Sequence, residues 1–319
     1  MATFSGLYPA TVVPFTEADT IDADALRRMI GYATSPDGVS GVVVTGHMGE
    51  LLLLDREERA EVVRIARSVV SDERAVIAGI EGATLKLMTQ SALDAVEAGA
   101  TALLVCPPFD IRPLRPLAVH SEAVLAYFRA VADVVDVPLI VFQYNKASGC
   151  AYPLAVLEDL AAIPSVVGIK AGTRNITDYV ELYDRLHDRF DILAASDGPP
   201  LLSMLLHGAS GALIGVSSVG TQLWAELVTS ALAGDVATAV ELFHTRCLPL
   251  TAAIYENQQP TGLISAVGAA KEALVQLGVL PHNRIRQPLI GPDAHRRGLI
   301  ANALSVAGLS SEAVGGHAR

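Results

Sequence analysis

Ser165-Val166-Val167-Gly168-Ile169-Lys170-Ala171-Gly172 surrounds one lysine with small and apolar residues. The run predicts a buried strand that ends on Lys170. A lysine is rarely buried without a partner. Desolvation lowers its pKa, and a neutral amine is a nucleophile toward a carbonyl carbon. The other reading is a lysine that simply leaves the strand for solvent. The surrounding chain decides between them.

Similar short apolar runs recur on both sides. Strands are predicted at 9–14, 41–45, 75–79, 102–106, 138–142, 166–170, 192–195 and 211–216. Ala102-Leu103-Leu104-Val105-Cys106 and Leu139-Ile140-Val141-Phe142 are apolar throughout, as parallel strands covered on both faces should be. Between them lie stretches with helical spacing, at 23–34 (after Asp22, a good N-cap), 56–70, 85–98, 117–135, 153–162, 176–188 and 200–207. About eight such alternations point to an α/β fold, a closed (β/α)8 TIM barrel, over residues 1–235. Residues 236–319 exceed one closing helix. Helical patterns at 237–255, 263–277 and 295–307, broken by Pro260 and Pro281, predict a C-terminal helical subdomain packed on the barrel. The final residues, 310–319, are mostly small or polar and are expected to fray.

Composition narrows the function classes. The chain has 319 residues, 51% hydrophobic and 18% charged, with net charge -11. A large core can be buried, and disorder is excluded. No basic stripe is present, so nucleic acid is excluded as a partner. An acidic protein that takes an anionic substrate must supply local donors at its site. Cys106, Cys150 and Cys247 are an odd, sparse set, which fits a reducing cytoplasm. No Cys/His cluster has metal-ligand spacing, so no metal and no bound cofactor is expected. The N-terminus lacks a basic region followed by an apolar run. No apolar stretch reaches the roughly 18 residues of a membrane span.

In such a barrel the chemistry sits at strand C-terminal ends. After the second strand comes Thr45-Gly46-His47-Met48-Gly49-Glu50, a glycine turn whose backbone N–H groups can converge on an anion. After the fifth comes Gln143-Tyr144-Asn145-Lys146, and after the sixth Lys170. Neighbouring strands would set Tyr144 beside Lys170. An amine, a phenol and an anion cradle suit a Schiff base with a 2-oxo acid. The amine attacks the ketone, the cradle holds the carboxylate and the phenol moves protons. Each feature alone has a plainer reading: an ordinary turn, a structural tyrosine, a solvated lysine.

Together these residues resemble the dihydrodipicolinate synthase / N-acetylneuraminate lyase family of class I aldolases, from about Gly6 to Leu289. The family opening is matched by Pro9-Ala10-Thr11-Val12-Val13-Pro14-Phe15 and the glycine turn by Gly46-His47-Met48-Gly49-Glu50. Tyr144-Asn145 matches the tyrosine motif and Gly168-Ile169-Lys170 the lysine motif. The closing pattern is matched by Lys271, Leu274, Gly278, Arg286, Pro288 and Leu289. The resemblance implies a homotetramer, a Schiff base on Lys170, Tyr144 as proton shuttle, and Ile214 lining the pocket, where plain barrel packing is the alternative.

The departures bear on substrate. His47 and Met48 stand where the synthase branch has paired hydroxyl residues. Phe109, in Pro107-Pro108-Phe109-Asp110, replaces the synthase's second tyrosine and cannot relay a proton. The arginine that would follow Tyr144-Asn145 and grip the second substrate's carboxylate is missing, and Lys146 is only a point charge in its place. Ser196-Asp197-Gly198-Pro199 after the seventh strand also differs. His47 either titrates beside Tyr144 in place of the lost hydroxyls or fills the turn. Lys146 either binds substrate or is a solvated loop lysine. Cys106 and Cys150 are read as small packing residues.

Three functions follow. The first is a Schiff-base lyase on a 2-oxo acid, aldolase or dehydratase, with an apolar-leaning pocket. The second is 4-hydroxy-tetrahydrodipicolinate synthase, joining pyruvate to aspartate semialdehyde. The third is a catalytically idle paralogue that binds a metabolite.

Overall fold

The computed structural model describes residues 4–107, 114–255 and 265–311. Eight strands form one sheet: β1 Gly6–Pro9, β2 Gly41–Val44, β3 Ala75–Ile80, β4 Ala102–Val105, β5 Leu139–Gln143, β6 Val166–Ala171, β7 Asp191–Ala194 and β8 Gly211–Ile214. Their order is β1-β8-β7-β6-β5-β4-β3-β2, with every ladder parallel. The ring closes between β1 and β2 through two isolated bridges, Leu7 to Val39 and Ala10 to Val43. Strands β2, β4 and β8 are buried at every position, because side chains fill the barrel on one face and meet helices on the other. At the start of β8, a Cβ on Gly211 would collide with the Gly6 carbonyl of β1. Only glycine lets these two strands approach so closely.

A helix follows each strand: α1 Ala23–Thr34, α2 Arg56–Val69, α3 Leu85–Glu97, α4 Ser121–Ala132, α5 Leu154–Leu160, α6 Ile176–Leu186, α7 Pro200–Leu206 and α8 Thr221–Leu232. Local chemistry starts them. Asp22 caps α1, and Asp55 with Glu58 forms a reciprocal capping box on α2. The fold is thus the (β/α)8 barrel that the alternation predicts.

Three elements differ from the sequence reading. The first strand is Gly6–Pro9 rather than 9–14, because its ladder with β8 ends at Pro9 paired to Ile214. Beyond it only Ala10 bridges to Val43. The predicted helix 117–135 begins instead as a 3-10 turn, Arg115–Val119, broken from α4 by the extended backbone of His120. The predicted helix 237–255 is α9 Val236–Leu242 and α10 Leu248–Tyr255, joined through a π turn at Phe243–Cys247. Pro249, just inside α10, has no N–H to continue a regular ladder, and a π turn absorbs the mismatch.

α11 Ala266–Gln276 and α12 Ala294–Val306 complete the chain's helices among the described residues. Pro260 and residues 263–264 lie outside those residues. The C-terminal part is tied to the barrel by charge as well as packing. Lys271 of α11 is wholly buried, its Nζ 2.7 Å from Glu50 Oε2 and donating to the Arg284 carbonyl at 3.1 Å. Arg286 donates to Glu58 Oε2 at 2.6 Å and to the Leu53 carbonyl at 2.6 Å. The Phe15 ring lies between these cations, 4.5 Å from Lys271 Nζ and 4.3 Å from Arg286 Cζ. All three cysteines are buried, and none forms a disulfide among the described residues. Among the described residues no helix is long and apolar enough to cross a membrane, and no side-chain cluster could hold a metal.

Candidate active site

The C-terminal ends of the strands open into a cavity of about 1220 Å³. Its floor is set by the turn after β2. Thr45 and Glu50 at the two ends of that turn both adopt left-handed backbone, with φ of 49° and 54°. Such conformations persist only where surroundings hold them. Here the Thr45 hydroxyl donates to the Gly79 carbonyl at 2.9 Å, and Glu50 is clamped by Lys271. At Gly49 a Cβ would lie 2.6 Å from the Thr45 amide nitrogen, so the turn also needs that glycine. The result presents Gly46, His47 and Met48 to the cavity.

Lys170 enters from β6, paired in register with Phe142 of β5. Its Nζ stands 3.8 Å over the Phe142 ring. Burial lowers its pKa to about 8, against the opposing pull of Asp197 and Cys106. A usable fraction of neutral amine is therefore present near neutral pH. Tyr144, just past β5, hydrogen-bonds through its hydroxyl to Nε2 of His47. The Tyr144 and Phe142 rings meet edge to face at 4.4 Å, and His47 lies 5.1 Å from Phe142. Amine, aromatic floor, phenol and imidazole thus form one continuous surface.

The other predicted site residues are distributed differently. Asn145 lines the cavity, and its carbonyl accepts the Ser148 hydroxyl at 2.7 Å. Lys146 is exposed and ion-paired with Asp178 of α6 at 2.7 Å, away from the cavity lining. Ile214 is wholly buried in β8 and is not part of that lining. Phe109 lies outside the described residues.

Asp197 and Tyr255 line the cavity without having been among the site candidates read from the sequence. Asp197, in the loop after β7, accepts the Val216 N–H at 2.8 Å. Tyr255, at the end of α10, points its hydroxyl at Met48 Sδ, 3.2 Å away, and toward the Asp197 carboxylate. Burial raises the Asp197 pKa; the Val216 and Gly215 amides, Lys170 and Tyr255 oppose that rise. Burial together with Asp197 holds the Tyr255 phenol far above the ordinary tyrosine value. The Ser196-Asp197-Gly198 segment was visible at a strand end, which was a usable signal. Tyr255 gave none, being in a helix remote from every strand. Arg174, exposed, also lines the mouth.

Comparison with known proteins places the whole chain in one family. Residues 3–306 match the model of the dihydrodipicolinate synthetase family. The 4-hydroxy-tetrahydrodipicolinate synthase of Methanococcoides burtonii is 30% identical over 306 residues, spanning 96% of this chain and 99% of that protein. That of Nitrosomonas eutropha is 28% identical over the same shares. Among solved structures, YagE of E. coli K12, a prophage protein of the dihydrodipicolinic acid synthase family in complex with pyruvate, is 25% identical. It superimposes with a TM-score of 0.84 over 97% of this chain and 100% of its own. Dihydrodipicolinate synthase from Aquifex aeolicus is also 25% identical, with a TM-score of 0.83 over 96% and 99%.

Proposed function

The chain belongs to the dihydrodipicolinate synthetase family, and on that premise we propose that it is a lyase that joins Lys170 to a 2-oxo acid as a Schiff base. The observation that carries this reading is the Lys170 amine, desolvated to a pKa of about 8 over Phe142 and beside the Tyr144–His47 pair. The amine attacks C2 of the 2-oxo acid. The turn Gly46-His47-Met48 holds the carboxylate. Tyr144, relayed by His47, shuttles protons. The resulting iminium is the electron sink: either the C4 hydroxyl loses its proton and the C3–C4 bond breaks, leaving the pyruvate enamine, or C3 loses a proton and the enamine so formed expels the protonated C4 hydroxyl of a 3-deoxy-2-oxo acid as water. No further cofactor is required, because the lysine itself supplies the sink. The assembly is a homotetramer, as in the family's resemblance.

The relatives' name offers the synthase as second reading. The outward pairing of Lys146 with Asp178 speaks against it, since no replacement for the missing arginine comes from that loop. An idle paralogue would have little reason to keep a desolvated lysine facing a phenol–imidazole pair.

Incubation with pyruvate and borohydride tests the reading by intact mass and peptide mapping. A reduced adduct on Lys170 is expected. An adduct on Lys146 or Lys271, or none with any of a panel of 2-oxo acids, would overturn it.

A further inference from the structure

A cavity of about 1220 Å³ exceeds what even a drug-sized ligand needs, and pyruvate is far smaller. The ends of β5 and β6 serve the carbonyl and its protons, and the turn after β2 serves the carboxylate. The wall built by the C-terminal helices is left without a task.

α10 shapes that wall. Leu248, Thr251, Ala252 and Tyr255 all line the cavity. Their spacing, i, i+3, i+4 and i+7, makes one stripe along the helix. Leu250, Ala253 and Ile254 fall on the opposite face and are buried, as α10 also packs on α11 and α12. The π turn before α10, at Phe243–Cys247, decides which stripe meets the cavity, because one residue more in a helix turns everything after it by about 100°.

The end of the stripe is fixed against the barrel. The Tyr255 hydroxyl donates to Met48 Sδ at 3.2 Å. A thioether is a weak acceptor, so room matters here more than bond strength. Gly215, after β8, provides the room: a Cβ there would collide with the Tyr255 hydroxyl and lie 2.6 Å from Met48 Cγ. Its backbone is an ordinary right-handed one, with φ of -74°, so the glycine is not required by conformation. Met48 follows His47, whose ring packs on Phe142 beneath the Lys170 amine. The stripe therefore ends at the edge of the group that holds the amine.

Resting on the lyase reading above, we propose that α10 selects the tail of the substrate, with Tyr255 as the residue that fixes where the groove ends. A 2-oxo acid joined to Lys170 at C2 and held by its carboxylate at the turn has only its chain from C3 onward left to place. That chain runs along Tyr255, Ala252, Thr251 and Leu248. Ala252 is exposed to the cavity and leaves space in the middle of the stripe. The stripe brings no charge, so it suits an uncharged chain of several carbons.

Competitive trapping on Lys170 tests this. The full-length protein receives pyruvate, 2-oxohexanoate and 2-oxoadipate in one mixture with cyanoborohydride, and intact mass counts each adduct. The first has no tail, the second an uncharged one, and the third ends the same chain in a carboxylate. The wild type should favour 2-oxohexanoate over 2-oxoadipate by about 10-fold or more. In Ala252→Phe the ratio of 2-oxohexanoate to pyruvate should fall about 10-fold or more, because the ring fills the stripe and pyruvate ends before it. Gly215→Ala should lower the same ratio. Adding Tyr255→Phe should restore it, because the oxygen that the new methyl would meet is gone. A variant that only folds less well traps less of every acid and leaves the ratios in place. An unmoved ratio in Ala252→Phe, a Gly215→Ala loss that Tyr255→Phe does not relieve, or a wild type that refuses 2-oxohexanoate or prefers 2-oxoadipate overturns the inference alone. If the wild type forms no adduct on Lys170 with any of the three, the proposed function fails and takes this inference with it.

Discussion

The Tyr144 hydroxyl is hydrogen-bonded to Nε2 of His47, a residue 97 positions earlier in the chain. The pair bridges β5 and the turn after β2, and both rings pack on Phe142, the ring beneath the Lys170 amine. An imidazole has thus taken the place where the synthase branch keeps hydroxyl residues. In the proposed reaction protons would pass through this pair, which ends in the turn that would cradle a carboxylate.

Tyr144→Phe deletes the hydroxyl and keeps the ring contacts. Turnover should fall about 10²–10⁴-fold, as expected for loss of a positioned acid–base group. Lys170 should still form some adduct. His47→Asn should lower turnover in the same direction while leaving trapping intact. Rates within a few-fold of wild type in Tyr144→Phe would make the phenol structural.

Aspartate semialdehyde separates the lyase from the synthase. Its carboxylate needs a matched donor, and burying that charge unmatched costs several kcal/mol. Lys146 is engaged with Asp178, and no arginine follows Tyr144-Asn145. Condensation with pyruvate should be negligible by mass spectrometry, alongside measurable turnover of another 2-oxo acid with an apolar or uncharged tail. Efficient formation of the cyclic product would displace the lyase reading and point to Arg174, the arginine on the rim, as the donor.

Lys271→Met removes one partner of a wholly buried ion pair and strands Glu50. Breaking such a pair costs roughly 3–5 kcal/mol. Chemical denaturation should show that loss, and the double variant Lys271→Met with Glu50→Gln should recover part of it. Burial pushes the Glu50 pKa up and the Lys271 pKa down, and each partner opposes the other's shift. A single variant as stable as wild type would show that the pair adds nothing.

Much of the barrel was legible because parallel strands covered on both faces are apolar from end to end, and Lys170 stands out against that background. Tyr144 and the glycine turn were legible by position at strand ends. The rest depends on which distant residue each group meets. Lys146 reads as a free loop cation until α6 brings Asp178 to it. Phe109 lies outside the described residues, and the structure adds nothing about it. Tyr255 belongs to a helical segment whose spacing speaks only of packing; its place beside Met48, 207 residues earlier, exists only in three dimensions. The start of the first strand was misplaced because its boundary is set by the length of β8, not by its own apolar run.

The burial of Glu50 against Lys271 has a consequence for the order in which the molecule can be made. A chain emerging from the ribosome completes every strand of the barrel before α11 appears. Until α11 docks, the turn that carries Gly46, His47 and Met48 rests on a carboxylate with no counter-ion, and its Glu50 end lacks its clamp. The nascent barrel can therefore be closed and still unfit to hold a substrate. Competence arrives last, with the tail of the chain.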